Sequence, residues 1–155
     1  MNDEIATNRK ALRDYQILER YEAGVELRGT EVKSIRQGRL NISDAFARVE
    51  RGQVWLYNLD IQAYDKANGF TQHEPRRTRR LLLHKREILK LYGETQQKGL
   101  SLPVLRAYWK ESHVKIEIGV GRGRDKGDQR EAVKEKEAKR EAQRIVARFN
   151  ERGRS

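Results

Sequence analysis

The chain has 155 residues, which suits one domain plus an appendage and leaves no room for a second core of useful size. Its 34 Lys and Arg against 23 Asp and Glu leave a net charge of +11, so the expected partner is a polyanion. No cysteine is present, which excludes disulfides and thiolate-bound metal. No apolar run approaches the roughly 20 residues of a membrane span, and no signal-peptide apolar region follows Met1. A soluble cytoplasmic protein that engages no membrane is expected.

The charge is unevenly dressed. Residues 121–155 hold 12 basic and 7 acidic side chains but only 8 hydrophobic ones among 35 residues, too few to build a core alone. The boundary is placed near Val120: a folded domain over 1–120 and a basic tail over 121–155, without fixed structure by itself.

The first dozen residues are polar and read as loosely held. From Tyr15 the pattern becomes strand-like, with Tyr15, Ile17 and Glu19 on one face and Leu18 opposite. Glu22-Ala23-Gly24 reads as a bulge or bend before Val25-Glu26-Leu27. A short helix follows, with Thr30 as N-cap, Glu31 in the first turn, Val32 and Ile35 one turn apart, and Gly38 at C′. Ala45–Glu50 and Gln53–Leu59 alternate around Arg51-Gly52, a β-hairpin with Trp55 and Tyr57 on one face and Val54 and Leu56 on the other. Residues 62–80 read as a long, positively charged surface loop. His84–Gln97 is helical, with His84 at the N-cap, Ile88, Leu91 and Tyr92 on one face, and Gly99 as the stop. Leu102–Trp109 and His113–Val120 form the clearest hairpin, Val114, Ile116, Ile118 and Val120 alternating with polar or small residues; Pro103 belongs at a strand start or edge. About six short strands and two helices favour a closed or partly closed antiparallel barrel.

No constellation reads as an active site. His73, His84 and His113 are scattered outside any metal-ligand spacing, and Gly121-Arg122-Gly123 lacks the Lys-Ser or Lys-Thr ending of a phosphate loop. No cofactor and no enzymatic activity are expected. Nucleic-acid features are denser. Arg76, Arg77, Arg79 and Arg80, followed by Lys85 and Arg86, can neutralise several phosphates, though a run of charges is ordinarily just a solvated face. Trp55, Tyr57, Tyr108 and Trp109 have the chemistry to stack on bases, although aromatics on strands are more often core. Residues alone thus support a basic RNA-binding barrel.

Several strings in this order are more specific: Asn8-Arg9-Lys10-Ala11, Tyr21-Glu22-Ala23-Gly24-Val25, Gly29-Thr30-Glu31-Val32-Lys33-Ser34-Ile35-Arg36, Arg77-Thr78-Arg79-Arg80-Leu81-Leu82-Leu83-His84-Lys85 and Lys115-Ile116-Glu117-Ile118-Gly119-Val120. Over residues 8–137 the chain closely resembles small protein B, the SsrA-binding protein (SmpB) family of bacteria. The resemblance implies a mainly β fold with flanking helices, an oligonucleotide-binding-type antiparallel β-barrel, and a basic C-terminal tail disordered in solution and helical on the ribosome. It also implies a role: binding the tRNA-like domain of tmRNA (SsrA RNA) and bringing it to stalled ribosomes for trans-translation, where the protein stands in for the anticodon stem. Elongation factor Tu would be met indirectly, through tmRNA, and the protein would act as a monomer.

By the same resemblance, Asn8, Glu22 and Leu82 correspond to tmRNA-contacting positions. Arg9, Lys10, Gly24, Lys33, Arg76, Arg79, Arg80 and Lys85 complete that expected surface. In the tail, Arg122, Gly123, Arg124, Asp128, Arg130 and Lys134 are expected at the small-subunit decoding centre and empty messenger channel. There the chain departs from the family. Gly123-Arg124-Asp125 and Asp128-Gln129-Arg130 replace Gly-Lys-Lys and Asp-Lys-Arg, and Ala138 stands where a bulky apolar residue is common. Ala138, Ala142, Ile145 and Phe149 nevertheless recur at helical spacing. The rival readings are a ribosomal or initiation-factor-like barrel and an RNA-processing nuclease, the latter opposed by the absence of clustered His or carboxylate ligands.

Overall fold

Residues 3–124, apart from 65, 68, 70 and 71, and the isolated helical positions Arg140 and Arg144 are described by a computed structural model of the chain. Nine strands and three helices are delimited within residues 3–124: β1 (Asp3–Thr7), α1 (Arg9–Asp14), β2 (Tyr15–Val25), α2 (Gly29–Arg36), β3 (Leu40–Asn41), β4 (Phe46–Glu50), β5 (Gln53–Tyr57), β6 (Asp60–Ile61), β7 (Arg79–Leu82), α3 (Lys85–Gln96), β8 (Leu102–Lys110) and β9 (His113–Gly123). The fold is mainly β with flanking helices. Seven strands form one antiparallel sheet in the order β1-β8-β4-β5-β7-β2-β9, and β9 also pairs with β8. From β8 through β4, β5, β7, β2 and β9 the pairings therefore return to β8.

Both hairpins form as the alternation requires. At the β4–β5 turn Arg51 and Gly52 both have positive φ, 51° and 75°, which matches the right-handed twist of the flanking strands. At the β8–β9 turn the same conformation is carried by Glu111 and Ser112, without a glycine. The inner face of the sheet is the alternating apolar set: Val54, Leu56, Leu81, Val104, Ile116, Ile118 and Val120 are all fully buried. Ile35 from α2 and Ile88 and Leu91 from α3 join that cluster. Each such side chain contributes about 1.5–3 kcal/mol by leaving water.

Several elements differ from expectation. Residues 3–14 are not loose. β1 pairs with β8, and α1 follows because the Asn8 side chain accepts from the Ala11 amide at 3.0 Å as its N-cap. Glu22-Ala23-Gly24 does not interrupt β2; the irregularity in its pairing with β9 falls at Ile17–Glu19. Thr30 is not the N-cap of α2. Arg28 takes that place, with its amide donating to Glu31 Oε1 at 2.7 Å, while the Thr30 hydroxyl meets His73 Nδ1 at 2.8 Å. Gly38, at φ 75°, does follow the C-cap Gln37.

The expected loop over 62–80 ends in structure, since Arg79 and Arg80 begin β7. β6, just before it, pairs with β3 in a second small sheet that no alternation announced. α3 runs as expected from the N-cap His84, but Tyr92 is 52% exposed rather than packed. The last strand passes Val120 and ends at Gly123, opposite Tyr15. Glycines permit this: a Cβ at Gly121 would stand 3.1 Å from the Gln16 carbonyl, and one at Gly119 would stand 2.9 Å from Leu105. Arg122 and Gly123 thus lie on a strand and Arg124 just after it, its amide donating to the Asp14 carbonyl at 2.7 Å. Asp128, Arg130 and Lys134, and the tail's apolar stripe, lie outside the described residues.

Candidate nucleic-acid interface

α2 is held to the sheet by a buried polar cluster. Glu31 is fully buried, and its carboxylate accepts from Arg77 (2.5 Å from Nη2) and from Arg79 Nε at 2.5 Å. Arg79 is also fully buried, and donates to the carbonyls of Leu59 at 2.7 Å, Pro75 at 3.0 Å and Arg77 at 3.1 Å. Burial pushes the Glu31 carboxyl up, but the bonds from Arg77, the Arg28 amide and Arg79 outweigh it and hold the group below the usual carboxylate range.

This cluster divides the arginine run. Arg76 projects outward, 3.6 Å from Asp60, and Arg80 is half-buried beside Glu26. Arg77 and Arg79 serve the interior. Arg79, expected among RNA contacts, has no surface to present to RNA; its position on the inward-facing side of β7 decided this, and the string of basic residues could not. Asn8 is likewise internal at 3% exposure. Its Nδ2 donates to the carbonyls of Val104 at 2.9 Å and Ile42 at 3.1 Å, so it fixes the start of α1 rather than facing solvent.

Arg9 and Lys10 follow on the exposed side of α1, with Lys10 3.8 Å from Asp44. They border a groove of about 420 Å³ that Arg39 and Asn41 also line. Lys33 is exposed on α2, 5.5 Å over the Tyr64 ring, and Lys85 is exposed at the start of α3.

Glu22, Gly24 and Leu82, scattered in sequence, come together. In the register of the sheet Leu82 of β7 pairs with Gly24 of β2, Gly24 with Lys115 of β9, and Lys115 with Tyr108 of β8. Paired residues share a face, so these four form one row across four strands. Leu82 is 47% exposed, which removes it from the core that its Leu-Leu-Leu context suggested. A Cβ at Gly24 would lie 3.4 Å from Leu82 Cβ and 3.7 Å from Lys115 Nζ, so both side chains reach contact distance of this glycine.

Glu22 stands two residues along the same face of β2. Its carboxylate accepts from the Tyr108 hydroxyl and from Lys110 Nζ at 3.1 Å. The Tyr108 hydrogen bond, reinforced by Lys110, holds the Glu22 carboxyl below its ordinary range despite partial burial. Burial and the Glu22 carboxylate together push the Tyr108 hydroxyl up. The sequence offered Tyr108 only as a stacking aromatic or a core residue, and did not mark Lys110 and Lys115 as members of this surface. Alternation within His113–Val120 already put Lys115 on the outer face, but Tyr108 lies 86 positions from Glu22, and no local pattern joins them. Of the aromatics with stacking chemistry, Tyr108 is buried, while Trp55, Tyr57 and Trp109 are half-buried.

Among the described residues no helix is long and apolar enough to cross a membrane. The SmpB protein family model matches residues 5–148. The chain is 52% identical over 142 residues to the SsrA-binding protein of Carboxydothermus hydrogenoformans, covering 92% of this chain and 95% of that one. It is 51% identical over 148 residues to the SsrA-binding protein of Geobacillus thermodenitrificans, covering 96% and 93%. A solved structure described as "tmRNA-SmpB: a journey to the center of the bacterial ribosome" superposes with a TM-score of 0.61 at 42% identity, over 86% of this chain and 93% of that one. With the family model matched over residues 5–148 and relatives about half identical along nearly the whole chain, the chain belongs to the SmpB protein family.

Proposed function

We propose that this protein binds the tRNA-like domain of tmRNA and delivers it to stalled ribosomes for trans-translation, acting as an RNA-binding adaptor and not as an enzyme. One observation carries the reading. In a chain of this family, Leu82 stands exposed on the sheet beside Gly24, with Lys115 reaching Gly24 from the next strand and Glu22, paired with Lys110, further along the same face. An apolar side chain left in water among hydrogen-bonding groups and cations suits an unstacked base whose phosphates need neutralising. SsrA-binding relatives and the tmRNA–SmpB ribosome neighbour support the same partners.

The returning ring of strand pairings supports an oligonucleotide-binding-type antiparallel barrel, a platform on which strand faces present bases with contacts. Arg9, Lys10, Lys33, Arg76, Arg80 and Lys85 supply phosphate contacts, while Asn8 and Arg79 act through the elements that they hold in place. Residues beyond Arg124 form a basic arm that lies as a helix in the empty messenger channel, with Arg122, Gly123, Arg124, Asp128, Arg130 and Lys134 at the decoding centre. The protein acts in the cytoplasm as a monomer and meets elongation factor Tu through tmRNA. Gel-shift competition among the tRNA-like domain of tmRNA, ordinary tRNA and unrelated hairpins tests the core of this proposal. A clear preference for the tRNA-like domain is expected, and equal competition by all three RNAs would refute it.

A further inference from the structure

We propose that the hydrogen bond from the Arg124 amide to the Asp14 carbonyl is a latch that sets the direction in which the basic arm leaves the body. The backbone groups of Asp14, Gly121 and Arg124 are its positioning groups. The latch rests on the arm's proposed place at the decoding centre and adds what aims it there.

The ladder between β2 and β9 supplies the root. Ile17 pairs with Gly121, Gln16 with Arg122 and Tyr15 with Gly123. The next position falls where α1 gives way to β2, and there the Arg124 amide donates to the Asp14 carbonyl at 2.7 Å. Asp14 is the last residue of α1, and the closing carbonyls of a helix have no partner within it. Arg124 thus completes the helix end, and the helix end fixes Arg124. On its other edge Gly121 exchanges two backbone hydrogen bonds with Ser101, at 2.9 Å each. The chain is therefore held on both sides at Gly121 and once more three residues later. Arg122, Gly123 and Arg124 are exposed, and a Cβ at Gly123 would meet nothing within 4 Å, so packing does little to duplicate that last bond.

The other end of the same helix faces RNA in the proposed function. Arg9 and Lys10 stand exposed in the first turn of α1. Asn8 ties that turn to the body: its backbone amide donates to the Leu105 carbonyl at 2.7 Å, and its side chain donates to the carbonyls of Val104 and Ile42. Six residues of helix span about 9 Å. The phosphate contacts and the root of the arm therefore lie at opposite ends of one short element anchored at both. The placement of the bound RNA and the exit of the arm are set together.

The chain has no cysteine, so Ser112→Cys and Lys126→Cys place two spin labels without background. Between them runs β9, 11 residues and roughly 35 Å long. Distance distributions are measured by pulsed dipolar spectroscopy on the full-length protein bound to the tRNA-like domain of tmRNA, and tagging of stalled peptides on the unlabelled proteins. Arg124→Gln removes the charge and keeps the amide, whereas Arg124→Pro removes both, at an exposed position past the last strand where the core is untouched. Arg124→Gln should keep the narrow distribution of the wild type and Arg124→Pro should broaden it, with tmRNA affinity equal in the two variants. A wider spread of directions dilutes the arm at its site, so Arg124→Pro should tag about three-fold or more below Arg124→Gln. Equal widths in the two variants, or equal tagging despite a broadened distribution, overturn the latch and leave the arm's role intact. Normal tagging by the chain cut after Arg124 refutes the arm's role itself, and the latch with it.

Discussion

Leu81 and Leu82 are adjacent on β7, one fully buried and the other 47% exposed, and they separate packing from recognition. Leu81→Ala removes a core side chain and should cost about 2–5 kcal/mol of stability. Leu82→Ala removes a side chain that folding covers only by half. The area it leaves open is roughly 80 Å², so at about 25 cal/mol per Å² a base lying on it gains about 2 kcal/mol, most of which alanine forfeits. The expected loss is about 1–2 kcal/mol of binding, roughly 5- to 30-fold in Kd, against about 1 kcal/mol or less of stability. Urea denaturation gives the stabilities, and fluorescence anisotropy with the labelled tRNA-like domain at fixed salt gives the affinities. If Leu82→Ala lowers the unfolding midpoint as far as Leu81→Ala does and leaves Kd unchanged, the exposed leucine is packing and the proposed surface is wrong.

Glu31→Gln should destabilise by about 3–5 kcal/mol, because it leaves the fully buried Arg79 without its counter-charge. The folded-state carboxyl titrates below its unfolded value, so its contribution is present above about pH 4.3 and is lost as pH falls further. Unfolding midpoints measured down the acid limb should therefore fall more steeply for wild type than for Glu31→Gln; parallel limbs would contradict the pairing. If the exposed Lys85 meets a phosphate as proposed, the log–log salt slope of tmRNA affinity should shrink by about 0.7–0.9 in Lys85→Gln at unchanged stability. Arg79→Gln should instead lower the unfolding midpoint; a reduced salt slope in a fully stable Arg79→Gln protein would return that arginine to the surface. Cutting the chain after Arg124 should leave tmRNA binding near normal and abolish tagging of stalled peptides, and Ala142→Pro in the full chain should reproduce the tagging defect. Equal, moderate losses of binding and tagging would make the tail a generic basic arm.

Much of this protein is written locally in the chain. Period-two alternation and the turn residues were enough to place β4–β5 and β8–β9, because neighbouring strands joined by two residues have little choice of partner. The 3.6-residue pattern and its stops gave α3 and the end of α2, and the charge surplus gave a polyanionic partner. The family strings gave Glu22, Gly24 and Leu82 as a set without saying why they belong together.

What the sequence could not show depends on contacts between distant residues. β1, α1 and the β3–β6 pair are short and polar, and exist because β8, the Val104 and Ile42 carbonyls, or each other complete their hydrogen bonds. Whether an arginine in a run of four meets RNA or a buried glutamate 48 positions away depends on which face of β7 it occupies. Exposure of Leu82 and burial of Leu81 is a matter of strand register, since one residue of slip would exchange them. The hold of Tyr108 on Glu22 arises only when β2, β9 and β8 lie side by side. Local physics chose the elements, and the pairing of distant strands in one sheet decided which side chains were left facing outward.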